Sequence, residues 1–175
     1  TSAWATTLAF SLEGRALAAG TVNATVEVYD TRTGELRAVL GGPGVQVAQV
    51  RYLPVGWRSS VLPAGYAVVS LGANNGLHFW DVALQAYLGP LDPGPSPAHS
   101  FDVSPRAPAE RQWLAAAAGS VVKVWALPDL LSAAPAFNAV PPALELAQPA
   151  PITSLALSAD GRWLAVGNTS GTIVV

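Results

Sequence analysis

Residues 153–175, TSLALSADGRWLAVGNTSGTIVV, repeat residues 6–28, TTLAFSLEGRALAAGTVNATVEV, without a gap. The two stretches share Thr6/Thr153, Leu8/Leu155, Ala9/Ala156, Ser11/Ser158, Gly14/Gly161, Arg15/Arg162, Leu17/Leu164, Ala18/Ala165, Gly20/Gly167, Thr25/Thr172 and Val28/Val175, which is 11 identities in 23 positions. Most differences keep the residue type: Phe10 for Leu157, Glu13 for Asp160, Val26 for Ile173. A repeated segment must adopt one local structure twice, and that restricts the chain to a repeat architecture before any other consideration.

Weaker copies lie between the two. The strand end VEVYD at 26–30 recurs as LHFWD at 77–81 and as VKVWA at 122–126, with an aromatic residue (Tyr29, Trp80, Trp125) followed by Asp or its substitute. The offset of 147 residues therefore holds three periods of about 49 residues. A propeller blade takes roughly 40–50 residues. The turns SLEGR and TRTGE place Gly14 and Gly34 where a positive φ is required.

Each unit reads as short strands: 6–10, 16–20, 25–29 and 36–40 in the first; 46–53, 66–71, 77–81 and 85–88 in the second. The third holds 99–103, 113–117, 121–126 and 144–147, and the fourth 152–157, 163–166 and 172–175. The segment 128–134 is a short helical turn at most, and no stretch carries a long 3.6-residue apolar stripe.

The recurring pattern, hydrophobic-Ser-x-[Asp/Glu]-Gly-Arg-x-Leu-Ala-x-Gly followed by Val-x-Val-[Tyr/Trp]-Asp, resembles the WD40 repeat. Ser11 to Arg15 with Leu17 and Ala18, Ser158 to Arg162 with Leu164 and Ala165, and the dipeptides Tyr29-Asp30 and Trp80-Asp81 carry it. The resemblance implies an all-β, WD40-type β-propeller of about three and a half four-stranded blades, in units of approximately 1–44, 45–96, 97–150 and a truncated 151–175. It implies structural roles for Tyr29, Asp30, Trp80, Asp81, Trp125, Gly14 and Gly161. By the same pattern an aromatic residue and an Asp should follow Val175, so the chain reads as a fragment of a longer propeller, or as one finished by another segment. The family's Gly-His dipeptide is absent, and Asn74, Asn75 and Asn168 stand near the place of its turn Asp. The Trp–Ser/Thr–His–Asp network is thus complete in no unit, and a divergent member held by apolar packing is expected.

Composition bounds the chemistry. Charged residues are 11% of the chain and the net charge is −2, with nine basic residues scattered singly. No basic stripe points to nucleic acid. The apolar run 113–118 is far shorter than the roughly 18 residues of a membrane span. The chain has no Cys, which removes thiolate metal sites and fits an intracellular protein. His78 and His99 have no carboxylate at ligand spacing, so no metal is expected. GGPG at 41–44 lacks the Lys-Ser/Thr of a phosphate loop. No carboxylate pair is set for acid/base work, and no cofactor is implied.

The insertions carry the interaction signal. Trp57-Arg58, within PVGWRSSVLPAG at 54–65, is the residue pair enriched at binding hot spots and is the candidate partner contact. GPLDPGPSPA at 89–98 reads as an extended connector. The Pro/Ala-rich stretch 127–151, with Leu130, Leu131 and Phe137, reads as a long loop that is either a second contact or a floppy linker. A non-enzymatic scaffold binding other proteins of a multi-subunit assembly is the favoured function. The alternative is a small-ligand or enzymatic propeller using Arg51, His99 and Asp102 on the innermost strands; His99 and Asp102, three apart, should face opposite sides of their strand. The Ala/Gly/Pro/Val-rich composition resembles that of green-algal ciliary and centriolar WD40 chains, which implies a cytoplasmic or cytoskeletal place, the cilium included.

Overall fold

In a computed structural model the described residues are 3–42, 44–53, 67–74, 76–104, 106 and 111–175. They form two compact units, Thr1–Leu91 and Asp92–Val175. The insertion 54–65, with Trp57 and Arg58, lies outside the described residues.

The first unit holds two four-stranded antiparallel sheets. One is β1 (Ala5–Phe10), β2 (Ala16–Thr21), β3 (Thr25–Asp30) and β4 (Leu36–Gly41); the other is β5 (Val47–Tyr52), β6 (Ala67–Gly72), β7 (Leu77–Asp81) and β8 (Ala86–Leu91). In both, spatial order follows chain order, the meander of a propeller blade. Tight turns make this possible. Gly14 (φ +68°) and Gly34 (φ +74°) take left-handed conformations that side chains rarely adopt. The alternation in β3 buries Val26, Val28 and Asp30, as period-2 patterning requires. The middle strands β6 and β7 are buried throughout and read as near-continuous apolar runs.

The core of this unit lies between its sheets. Ala16, Ala18, Val26, Val28, Ala38 and Leu40 of the first meet Val47, Val50, Tyr52, Val68 and Trp80 of the second. Gly20 lets the sheets close: a Cβ there would stand 2.4 Å from Val47 Cγ1. Trp80 closes the outer end, its indole N–H donating to the Gly41 carbonyl at 3.2 Å.

The second unit pairs β9 (Ala98–Val103), β10 (Trp113–Ala118), β11 (Val121–Ala126) and β12 (Leu144–Ala147) with a three-stranded sheet of β13 (Ile152–Leu157), β14 (Leu164–Asn168) and β15 (Ile173–Val174). Its core repeats the first: Ala115, Ala117, Val122 and Val124 meet Ile152, Leu155 and Val166. Among the described residues three sheets thus have four strands and the last has three, within the all-β, WD40-type propeller fold expected.

Three sequence readings need correction. The stretch 127–151 is not an open loop. Helix α1 (Leu127–Ser132), a 3-10 turn at Phe137–Ala139 and β12 occupy it, and Leu130, Leu131 and Phe137 are fully buried. Pro128 at the start of α1 costs no helix hydrogen bond, which is why a proline-rich stretch still contains a helix. The connector expected at 89–98 is also shorter, because β8 runs through Gly89 and Pro90 to Leu91. Proline at the outer edge of a sheet removes no needed donor. Finally, the parity argument for His99 fails at a β-bulge.

That bulge recurs. Pairing shifts between Ala5 and Thr7, Val47 and Gln49, Ala98 and Ser100, and Ile152 and Ser154. Each first strand therefore carries one extra residue at the same place: Thr6, Ala48, His99 and Thr153. A bulge interrupts the two-residue alternation, so counting from His99 to Asp102 does not decide which faces they take.

Candidate interaction surface

The repeated Ser is consumed by its turn. Ser11 Oγ accepts the Ala16 N–H at 3.0 Å, and Ser158 Oγ accepts the Trp163 N–H at 3.0 Å. Ser104 does the same in the third sheet, accepting the Trp113 N–H at 2.8 Å while donating to the Arg111 carbonyl at 3.1 Å. Sequence comparison missed Ser104 because nine residues separate it from its donor Trp113, where five separate Ser11 and Ser158 from theirs; the backbone N–H donated to the Ser hydroxyl is the shared feature.

The acids at the strand ends are turn acceptors too. Asp30 Oδ1 accepts the N–H groups of Arg32 (2.7 Å) and Thr33 (3.1 Å), and Arg37 pairs with its other oxygen. The Thr33 and Arg32 amides, then Arg37, hold its carboxyl below the ordinary value. Asp81 is buried and accepts the Leu84 N–H at 2.9 Å; its Oδ2 meets no donor among the described residues. Tyr29 is half-buried and donates to Glu27, a bond that raises its pKa. Trp125 is buried and donates to the Val140 carbonyl at 3.2 Å. Gly161, like Gly14, sits at φ +68°.

One polar cluster lies on β6 to β8. His78 Nδ1 is 3.0 Å from the Tyr87 hydroxyl and Nε2 is 3.2 Å from Asn74 Oδ1. The amide oxygen can only accept, so Nε2 carries the proton and Nδ1 accepts from Tyr87. Burial pushes the His78 pKa down, which favours this neutral form. Asn74 and His78 thus supply a local polar link beside Trp80, whose ring lies 6.0 Å from the imidazole. Pattern reading missed it, because Tyr87 comes from a different strand.

The residues proposed for a ligand site do different work. Asp102 Oδ2 accepts the Leu157 N–H at 2.9 Å and Ser100 Oγ accepts the Leu155 N–H at 3.4 Å, satisfying the free edge of β13. Arg51 donates to the Val50 carbonyl at 3.0 Å, and His99 is exposed. Among the described residues no three His, Cys, Asp or Glu gather as a metal site. No helix among them is long and apolar enough to cross a membrane.

The second unit has an apolar groove of about 210 Å³ between its two sheets. Trp113, Val124, Ala143 and Leu144 form one wall; Leu157 and residues 161–164 form the other, with Arg162 the charged lining residue among the described ones. Leu144 is exposed. Asp160 stands 3.7 Å from Arg162.

Comparison with known proteins agrees with this geometry. Residues 144–175 match the family model described as WD domain, G-beta repeat. The chain is 31% identical over 180 residues to the small ribosomal subunit protein RACK1y of Oryza sativa subsp. japonica. That alignment covers 98% of this chain and 47% of the rice protein, so the chain spans about half the length of the curated relative it matches. With blade-type sheets, a recurrent Ser turn, a WD-domain match and a relative aligned along nearly its whole length, the chain belongs to the WD40-repeat family.

Proposed function

We propose that this chain is a non-enzymatic scaffold segment whose rigid sheets present contacts to other proteins of a multi-subunit assembly. The observation that carries this reading is how the polar groups are used. Ser11, Ser104, Ser158, Asp30 and Asp102 each satisfy backbone groups in turns or at a strand edge, which leaves an apolar groove rimmed by Arg162 as the reactive-looking surface of the second unit. Such a groove takes an apolar side chain and excludes water rather than performing chemistry. The relative's name places that rice protein in the small ribosomal subunit, and membership of an assembly is the feature carried over here.

The narrower parts of the reading are these. The blade units are 1–44, 45–96, 97–150 and 151–175. Tyr29, Asp30, Trp80, Asp81, Trp125, Gly14 and Gly161 hold the repeat together, and Trp57 with Arg58 contacts a partner. The protein is intracellular, in a cytoplasmic or cytoskeletal assembly of the ciliary type, and binds neither nucleic acid nor membrane.

The test is quantitative cross-linking in the source cell, comparing wild type with Leu144→Asp and with Trp57→Ala. Each variant should fold normally, and each should lose a defined neighbour. A set of neighbours identical for all three proteins would remove the groove and the 54–65 insertion as contacts. A fluorescent fusion that stays out of the cilium and the cytoskeleton would remove the ciliary placement and leave the scaffold reading intact.

A further inference from the structure

The chain has no Cys and no Met, so the sulfur side chains that ordinarily take up oxidising equivalents are missing, and its six Trp and four Tyr stand next in line. All four tyrosines, at 29, 52, 66 and 87, lie in the first unit. An aromatic side chain that loses an electron becomes strongly acidic at its N–H or O–H. Where the resulting radical comes to rest therefore depends on which ring has a base ready for that proton.

Trp80 has none. Its indole N–H donates to the Gly41 carbonyl at 3.2 Å, and an amide oxygen is too weak a base to take the proton outright. The buried hydroxyl of Tyr52 meets no partner among the described residues. Tyr29 donates to the Glu27 carboxylate, but it takes the face of β3 opposite Val26 and Val28, the residues that pack with Trp80. Tyr66 lies outside the described residues.

Tyr87 differs. Its ring centroid lies 5.7 Å from that of Trp80, and its hydroxyl lies 3.0 Å from His78 Nδ1. The surroundings fix which ring nitrogen of His78 is basic. The Asn74 side-chain oxygen accepts the Gly76 N–H at 3.3 Å and faces His78 Nε2 at 3.2 Å, so the imidazole proton sits on Nε2. Two glycines leave room for this arrangement. A Cβ at Gly72 would stand 2.6 Å from the Asn74 oxygen and 3.2 Å from Nε2, and one at Gly76 would stand 3.3 Å from Nε2. His78 is itself buried, which favours the neutral ring. The Nδ1 lone pair is thus aimed at the phenolic proton of Tyr87.

We propose that Tyr87 is a reversible one-electron redox site for small diffusible radical oxidants of the carbonate-radical or peroxyl class, with His78 as its proton acceptor and Trp80 as a relay. The Tyr87 O–H bond breaks. Its electron goes to the oxidant, directly or by filling a hole on Trp80, and its proton goes to His78 Nδ1. The products are a neutral tyrosyl radical, an imidazolium that still donates from Nε2 to Asn74, and an oxidant reduced by one electron. A one-electron reductant of the ascorbate class returns the electron, and Nδ1 returns the proton. The indole that closes the core is thereby spared oxygenation.

Flash photolysis of the chain with ruthenium tris(bipyridine) and persulfate tests it, read by transient absorption and electron paramagnetic resonance. Wild type should give a tyrosyl radical that forms more slowly in D2O and is quenched by ascorbate. Tyr87→Phe should keep the wild-type circular dichroism spectrum, lose most of the tyrosyl signal and leave a longer-lived indole radical. Peptide mapping by mass spectrometry should then find several-fold more oxygenated Trp80. His78→Gln keeps a hydrogen-bonding side chain but no base, and should form the tyrosyl radical several-fold more slowly. A tyrosyl signal of wild-type size in Tyr87→Phe overturns the proposal, and so does an unchanged rate in His78→Gln. Should His78→Gln misfold, wild type decides alone: no tyrosyl radical, no solvent isotope effect, or more oxidation mapped to Trp80 than to Tyr87 overturns it equally.

Discussion

At the scale of single residues, Trp80 and Trp125 at the strand ends are the largest fully buried side chains among the described residues. Trp80 is almost fully buried, closes the space between two sheets and donates to Gly41. Trp80→Ala should cost about 3–5 kcal/mol, read from urea denaturation; a loss below about 1 kcal/mol would place the indole outside the core. His78 gives a pH dependence of known sign. Its folded pKa lies below the ordinary 6.5, so the unfolded chain binds the proton more readily. Stability should be full above about pH 6.5 and fall as pH drops below it toward the folded pKa. The lowered carboxyls of Asp30 and Asp160 act in a separate window, at and below their ordinary 3.8. Urea midpoints at about pH 8 and about pH 5.5 should therefore differ in wild type and converge in His78→Gln. Equal wild-type midpoints would contradict the buried neutral imidazole. None of this was legible in the sequence, where His78 was one of two isolated histidines; the pairing that buries it joins β7 to β8 and the turn at Asn74.

At the scale of strands and turns, the repeat was largely readable because local chemistry dictates it. Glycine at 14 and 161 and serine at 11 and 158 recur with their turns, and the structure has the same hydrogen bonds at both. Ser104 follows the same rule with a longer turn. Ser104→Ala should cost about 1 kcal/mol, because it leaves the part-buried Trp113 N–H without its acceptor; thermal unfolding that matches wild type would show that water replaces it. What could not be read was packing at a distance. The leucines of 127–151 looked like a contact surface because proline-rich sequence hides a six-residue helix, and their burial depends on the tertiary fold. The bulge at 6, 48, 99 and 153 was equally invisible, since an extra residue leaves no mark in an alternating pattern. Gly20 gives the sharpest comparison. Gly20→Ala puts a carbon 2.4 Å from Val47 and should cost about 1–3 kcal/mol. Gly41→Ala meets nothing within 4 Å and should be close to neutral. Equal effects of the two would mean that Gly20 does not set the sheet spacing.

At the scale of the whole chain, low charge and a repeated apolar face go together. Only 11% of residues are charged, and those paired or hydrogen-bonded, such as Asp30, Arg37 and Asp102, serve the fold. The family and the all-β architecture were therefore accessible from pattern alone. The groove of the second unit was not, because its walls are made of residues far apart in sequence: Trp113 and Leu144 on one, Leu157 and Arg162 on the other. Leu144→Asp should leave the melting temperature within a few degrees of wild type, since the side chain is exposed, while abolishing occupation of the groove; a large drop in melting temperature would make Leu144 a packing residue instead.

The segment that matches the family description, 144–175, starts in β12 and continues through β13, β14 and β15. β12 completes one sheet, and the other three strands make the next. The stretch that matches the family description is therefore out of phase with the sheet that folds. A duplication of such a stretch inserts an outer strand into an existing sheet and the inner strands of a new one, so each added copy arrives already fastened to its predecessor. Lengthening by duplication and joining by a covalent clasp become the same event, and a lineage of such chains can change its number of sheets without ever having to invent a new way to hold them together.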